Sequence, residues 1–226
     1  MRYRKINGRV LGILGIGLPI LAIICSLVHR EPILPSISHY YHTAFQPIII
    51  AFGCIMALTF FTLSASTIEE RLLHIFLGLC AIIVAIIPTP LRQEILLQYP
   101  NTLIAVSSFF ESGQLTKLGH FIFAALFFFV SSRLILVNFI KQENQKEIPS
   151  EFRITVFKHC GWGMCISIGI IGIVHLLFPG QLALAETNNI PITLSLETLA
   201  LVFFSVAWIV RSNTRAQLHG VHELNT

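Results

Sequence analysis

The chain has 226 residues, of which 54% are hydrophobic and only 12% charged. Soluble domains carry about 25% charged residues, so half that share leaves too little polar surface to cover a globule in water. The net charge of +4 is small and sits at the ends of apolar runs, a placement that excludes a nucleic-acid-binding surface.

Repeated apolar stretches, each near the ~20 residues a helix needs to cross a bilayer, predict an all-α, multi-span membrane protein. Arg2, Arg4, Lys5 and Arg9 precede the first, over 10–28. This run exceeds the ~7–15 residues of a signal-peptide core and lacks a small-x-small cleavage site. Ile24 before Cys25 also argues against a lipoprotein site, so the run is expected to stay as span one. Gly8, Gly12 and Gly15 would let a neighbouring helix approach closely. A polar, aromatic loop from Pro32 to Thr43 follows, then span two over 47–63 and a polar turn over 64–71. Span three, 72–87, is stopped by Pro88 and Pro90, which lack a backbone donor and clash with the preceding turn.

The connection over 89–117 contains Arg92–Tyr99 and Leu103–Phe110, too short to span and expected to lie in the interface. Span four covers 118–140, a charged solvated connector 141–158, span five 159–178 and span six 192–210. Gly161, Cys165 and Gly169 recur every fourth residue in span five, a small-residue stripe expected to form a packing seam or a homo-oligomer contact. The 5 cysteines fall inside apolar runs and read as packing residues, not a disulfide framework. No internal repeat or second domain is visible, so 1–226 is read as one six-helix transmembrane domain.

Of the 15 Lys and Arg residues, all but Arg30, Arg92 and Lys117 fall on one side if six spans begin inside. That bias places both termini in the cytoplasm and the Pro32–Thr43 loop outside, as expected for a bacterial inner-membrane protein. Arg133, within span four, would snorkel to the inner interface.

On the outer side the sequence then collects Ser36, Ser38, His39, Tyr40, Tyr41 and His42 of the loop, His120, His175 and Glu197. Glu197 is the only acid within an expected span. A carboxylate there costs about 2.5–3.5 kcal/mol on insertion scales, so it must face the bundle and have a partner. His120, His175 or a loop serine or tyrosine hydroxyl could supply one. His39 and His42 have the i, i+3 spacing that lets two imidazoles share a metal on one helix face. With His120, His175 or Glu197 as further ligands, a zinc site at the outer boundary is geometrically possible. A b-type haem reading pairs His74 with His159 and His120 with His175. It is disfavoured because the span-five pair lies roughly 24 Å apart along the helix. Tyr40 and Tyr41 also suit interfacial anchoring.

Pro35-Ser36-Ile37-Ser38-His39-Tyr40-Tyr41-His42-Thr43 resembles the P-x-I-S-x-Y-Y-x-T outer loop of an uncharacterised family of small bacterial multi-span membrane proteins. Gly78–Ala81 closing on Ile87-Pro88-Thr89 is similar to that family's third helix. His120–Phe128 is similar to its fourth, and Leu196–Ala200 with Trp208 to its last. More distantly, the loop resembles that of the Frag1/DRAM/Sfk1 group of six-span proteins. The chain departs from the pattern at Phe45-Gln46-Pro47, where the family tends to carry an Arg–Asp pair. The resemblance implies six spans, draws attention to Ser38, Tyr40, Tyr41, His120 and Glu197, and brings no activity.

The leading expectation is a membrane protein whose outward polar pocket binds a lipid head group or small ligand in the outer leaflet. A zinc-dependent hydrolase of lipid amides or esters, similar in principle to the ceramidase-like superfamily, is the second reading. A haem electron-transfer protein is the third.

Overall fold

The computed structural model describes residues 3–30, 32–87, 89, 114–188 and 190–223, and every regular element among them is helical. In chain order these are α1 (Tyr3–His29), a 3-10 helical loop (Ile37–His42), α2 (Gln46–Thr62) and α3 (Ile68–Ile86). Next comes α4 (Gln114–Arg133), continued by a π-helical turn (Leu134–Phe139) and a last turn (Ile140–Asn144). The chain ends with α5 (Glu151–Leu177), the short α6 (Pro179–Thr187) and α7 (Ile192–Glu223). The interfacial segments expected at Arg92–Tyr99 and Leu103–Phe110 lie outside the described residues.

Among the described residues four helical stretches are long and apolar enough to cross a membrane: Gly8–Val28, Leu118–Asn144, Glu151–Leu177 and Ile192–Asn213. The other two long helices miss that standard for separate reasons. α2 is apolar but has only 17 residues, and α3 opens on Glu69, Glu70 and Arg71.

Two expected boundaries move, each for a local reason. α3 begins inside the expected polar turn because Thr67 Oγ1 accepts from Glu70 N at 3.1 Å, while Glu70 Oε2 accepts from Ser66 N at 2.7 Å. This reciprocal arrangement satisfies donors that a helix start leaves open. The charged connector over 141–158 shrinks to 145–150 because α4 runs on to Asn144 and α5 starts at Glu151. Glu143 folds that turn inward, accepting from Ser150 N and pairing with Lys146.

The six long helices pack as a closed ring in the order α1, α2, α3, α4, α5, α7, with α7 returning to α1. Closure on α1 depends on its glycines. A Cβ on Gly12 would lie 2.5 Å from Ile209 Cγ1 and 3.0 Å from the Ser205 carbonyl, so only hydrogen fits that crossing. The α5 stripe behaves differently from a continuous seam. Gly161 meets Leu136 and Cys165 bonds Ser132, whereas Gly169 faces open space. Phe60 sits at the centre of the core, its ring within 6.4 Å of Phe127, Phe204, Trp208 and His74.

A buried ion pair ties the end of the ring opposite the loop. Glu70, fully buried, accepts from Arg211 Nη2 at 2.6 Å and from Gln142 Nε2 at 3.1 Å. Arg211 also donates to Gln142 Oε1, and its guanidinium lies 3.8 Å over the Phe139 ring. One cluster thus joins α3, the end of α4 and α7. Arg133, expected to reach an interface alone, pairs with the exposed Glu69.

Removing one partner of a buried pair strands the other charge. Arg211→Met is therefore expected to destabilise the detergent-solubilised protein by about 3–5 kcal/mol, read as a fall in melting temperature. Glu70→Met added to it should recover much of the loss. Glu69→Gln, which weakens only the exposed pair, should shift stability by about 0–1 kcal/mol.

Candidate functional site

The loop from Leu34 to Thr43 is locked by hydroxyl chemistry at both ends. Ser36 caps the 3-10 helix, its Oγ accepting from Ser38 N at 3.2 Å. Thr43 Oγ1 donates to the Tyr40 carbonyl at 2.7 Å and accepts from Phe45 N at 3.1 Å, so the turn into α2 is fixed. Tyr40 is almost fully buried. Its hydroxyl accepts from Leu34 N at 3.3 Å and bonds Ser26 Oγ at 2.8 Å, and Ser26 in turn donates to the Pro32 carbonyl. Tyr40 is thus a pin between α1 and the loop, packed on Ala22, Leu34 and Phe45.

The far side of the loop closes the end of α3. A helix leaves its last carbonyls without internal donors, and the two prolines that follow α3 have no N–H to offer. Three side chains supply the donors instead. Tyr41 Oη donates to the Ile86 carbonyl at 3.2 Å, His120 Nδ1 to the Ile87 carbonyl at 2.7 Å and His42 Nε2 to the Thr89 carbonyl at 2.7 Å. Because a carbonyl only accepts, each bond assigns a ring proton: His120 carries it on Nδ1 and His42 on Nε2. Burial holds the His42 imidazolium below its usual pKa, and the bond to Thr89 only partly offsets that.

Glu197, inside α7, is bound by the loop and not by a histidine. Ser36 Oγ donates to its carboxylate at 2.7 Å and Ile37 N donates to Oε2 at 2.7 Å. Leu194 N, one turn earlier on α7, donates to the Pro35 carbonyl at 2.7 Å. Loop and helix are therefore stitched by three backbone groups, of Pro35, Ile37 and Leu194, by the Ser36 hydroxyl and by the Glu197 carboxyl group. Ser36 and Ser38 hydroxyls lie 2.8 Å apart. Since the Ser36 proton goes to Glu197, the proton between the serines comes from Ser38.

The expected single pocket is divided in two by the loop. One cavity, about 150 Å³, lies inside the ring, with Ser38, Tyr41, His120 and Glu197 at its loop end and apolar walls below. The second, about 210 Å³, lies beneath α6 and gathers Ser36, Ser38, His39, His175, Glu186 and Thr193. Ser38 lines both. Tyr40 and His42 line neither. His175 bonds the Ile171 carbonyl of its own helix at 2.9 Å.

Glu186 was not among the expected site residues. It is buried on α6 and accepts from Thr193 Oγ1 at 2.8 Å. A proline start at Pro179 followed by helix formers ending in a lone acid is the sequence signal that marks it. Among the described residues no three His, Cys, Asp or Glu side chains converge on a metal-sized point. Of the histidine pairs considered for haem, His74 is fully buried in the core whereas His159 is exposed on α5. Comparison with family models, with characterised proteins and with solved structures finds no match to this chain.

Two outcomes follow from the bonding. Ser36→Ala and Glu197→Gln are expected to be non-additive in a double-mutant cycle on thermal stability, with a coupling of about 0.5–3 kcal/mol; strict additivity would deny their contact. For His42, the unfolded chain binds more protons than the folded one once pH drops below the ordinary 6.5. Stability should therefore be full above that pH and decline as pH falls from it toward the lower folded value. His42→Gln, which keeps a donor near the Nε2 position, should flatten this part of the melting-temperature profile.

Proposed function

We propose that the protein is a six-span membrane protein, with both termini cytoplasmic, whose outward-facing loop end binds a lipid head group or small ligand. The observation that carries this reading is the pair of cavities meeting at Ser38, each mostly apolar with a few polar side chains placed in its wall. That arrangement suits a ligand site, which is concave, mostly apolar and provided with a few placed polar groups.

α2 and α3 complete the count of spans. At 1.5 Å per residue they are about 25–28 Å long, close to the ~30 Å hydrocarbon thickness. The ring needs both as neighbours of α1 and α4. The positive residues concentrate at the end holding Arg71, Arg133 and Arg211, which supports an inside assignment for that end. A bacterial inner membrane is the setting this favours, and the reading includes kinship with the small multi-span family that the loop resembles. The zinc-hydrolase reading has less support, because His42 and His120 each commit a ring nitrogen to a carbonyl at the end of α3.

Labelling and native mass spectrometry test the proposal. In a cysteine-free background, Asn188→Cys should react with a membrane-impermeant maleimide on intact cells and Glu147→Cys should not; the reverse pattern would invert the topology. Protein released from its native membrane should carry a bound small amphiphile that is depleted in Ala124→Leu, which fills the inner cavity. Protein equally empty of ligand in both forms would refute binding at this site.

A further inference from the structure

The polar end of the inner cavity has spent its protons. Tyr41 donates its only hydroxyl proton to the Ile86 carbonyl and Ser38 donates its own to Ser36. As a neutral imidazole, His120 has its single proton on Nδ1, bound to the Ile87 carbonyl. Its Nε2 has no partner among the described residues, although the side chain is only 6% exposed and lines the cavity. Glu197 accepts from Ser36 and Ile37, the donors it has among the described residues.

What faces the cavity from this end is therefore an array of acceptors: the His120 Nε2 lone pair, the Glu197 carboxylate, and the Tyr41 and Ser38 oxygens. A ligand seated here is held best if it brings protons to these acceptors. Among the described residues no Lys or Arg lines this cavity or the adjoining chamber, which holds the buried carboxyl group of Glu186. A phosphate or carboxylate head group would meet acceptor oxygens and a ring-nitrogen lone pair on those residues. The walls below, with Phe52, Phe127 and Phe128, suit a hydrocarbon chain, and aromatic rings tolerate a nearby cation.

We propose that the inner cavity binds a hydrophobic primary amine, its ammonium donating to His120 Nε2 and Glu197 and its alkyl chain lying between the phenylalanines. This rests on the ligand-binding reading of the loop end and specifies its chemistry.

Calorimetry on the full chain in nanodiscs tests it with hexylamine, hexanol, hexanoate and hexyltrimethylammonium as probes. These separate proton donation from charge and from simple hydrophobicity. Hexylamine is expected to bind about tenfold or more tighter than any of the other three, as for hydrogen bonds to charged groups. His120→Asn places an amide nitrogen near the Nδ1 position. It should keep the bond to Ile87 and the melting temperature while weakening hexylamine about tenfold. If that variant does not fold, the ranking of the four probes on the unaltered protein decides alone.

Equal or tighter binding of hexanoate, hexanol or the quaternary amine would overturn the amine assignment and leave the ligand-binding reading standing. So would a His120→Asn protein that folds and binds hexylamine undiminished. Binding of none of the probes, together with protein that carries no native ligand, would overturn both.

Discussion

The C-terminus of α3 is the constraint on which the loop end of this molecule depends. In a bilayer no water is available to satisfy stray backbone carbonyls, and each one left open costs several kcal/mol. The prolines that follow α3 remove the local donors that usually finish a helix. The carbonyls of Ile86, Ile87 and Thr89 must then be met from elsewhere, and Tyr41, His120 and His42 meet them. Their polar atoms are thus fixed before any ligand arrives.

The same economy explains the other face of the loop. A carboxylate one to two turns into α7 would be costly alone, and Ser36 with the Ile37 amide bonds it. That bond joins residues 161 positions apart and fastens the loop to the helix that closes the ring on α1. Capping of α3 and binding of Glu197 hold the loop from opposite sides, so Ser38, between them, becomes the shared wall of two cavities. Tyr40 contributes by anchoring the loop to α1 through Ser26. The opposite end of the ring solves its own burial problem by pairing Glu70 with Arg211.

Much of this was legible in the sequence, and the gaps have physical causes. Apolar run length marked the helices over 10–28, 118–140, 159–178 and 192–210, because that signal is local and strong. The dense polar and aromatic residues between Pro35 and Thr43 marked the loop, and the need for a partner marked Glu197. Which partner it takes was not legible, since a serine hydroxyl and a backbone amide give no distinctive pattern. The histidines invited a metal reading because spacing along the chain does not reveal that backbone carbonyls lie closer than a common centre. Glu70 looked like a turn residue because its capping bonds to Ser66 and Thr67, which draw it into α3, are invisible to hydropathy. Glu186 was passed over because the only signal for α6, a proline start before a short run of helix formers, is too brief to register as a periodic element.

The claim beneath all of this is that His120 and His42 serve α3 with opposite ring nitrogens, leaving the Nε2 lone pair of His120 to the cavity. Nitrogen-15 solid-state NMR of histidine-labelled protein in lipid at neutral pH reads that directly. The account predicts protonated Nδ1 and bare Nε2 for His120, with the reverse for His42, each assigned through its asparagine or glutamine variant. A His120 ring protonated on Nε2, or a His42 ring protonated on Nδ1 alone, would contradict it.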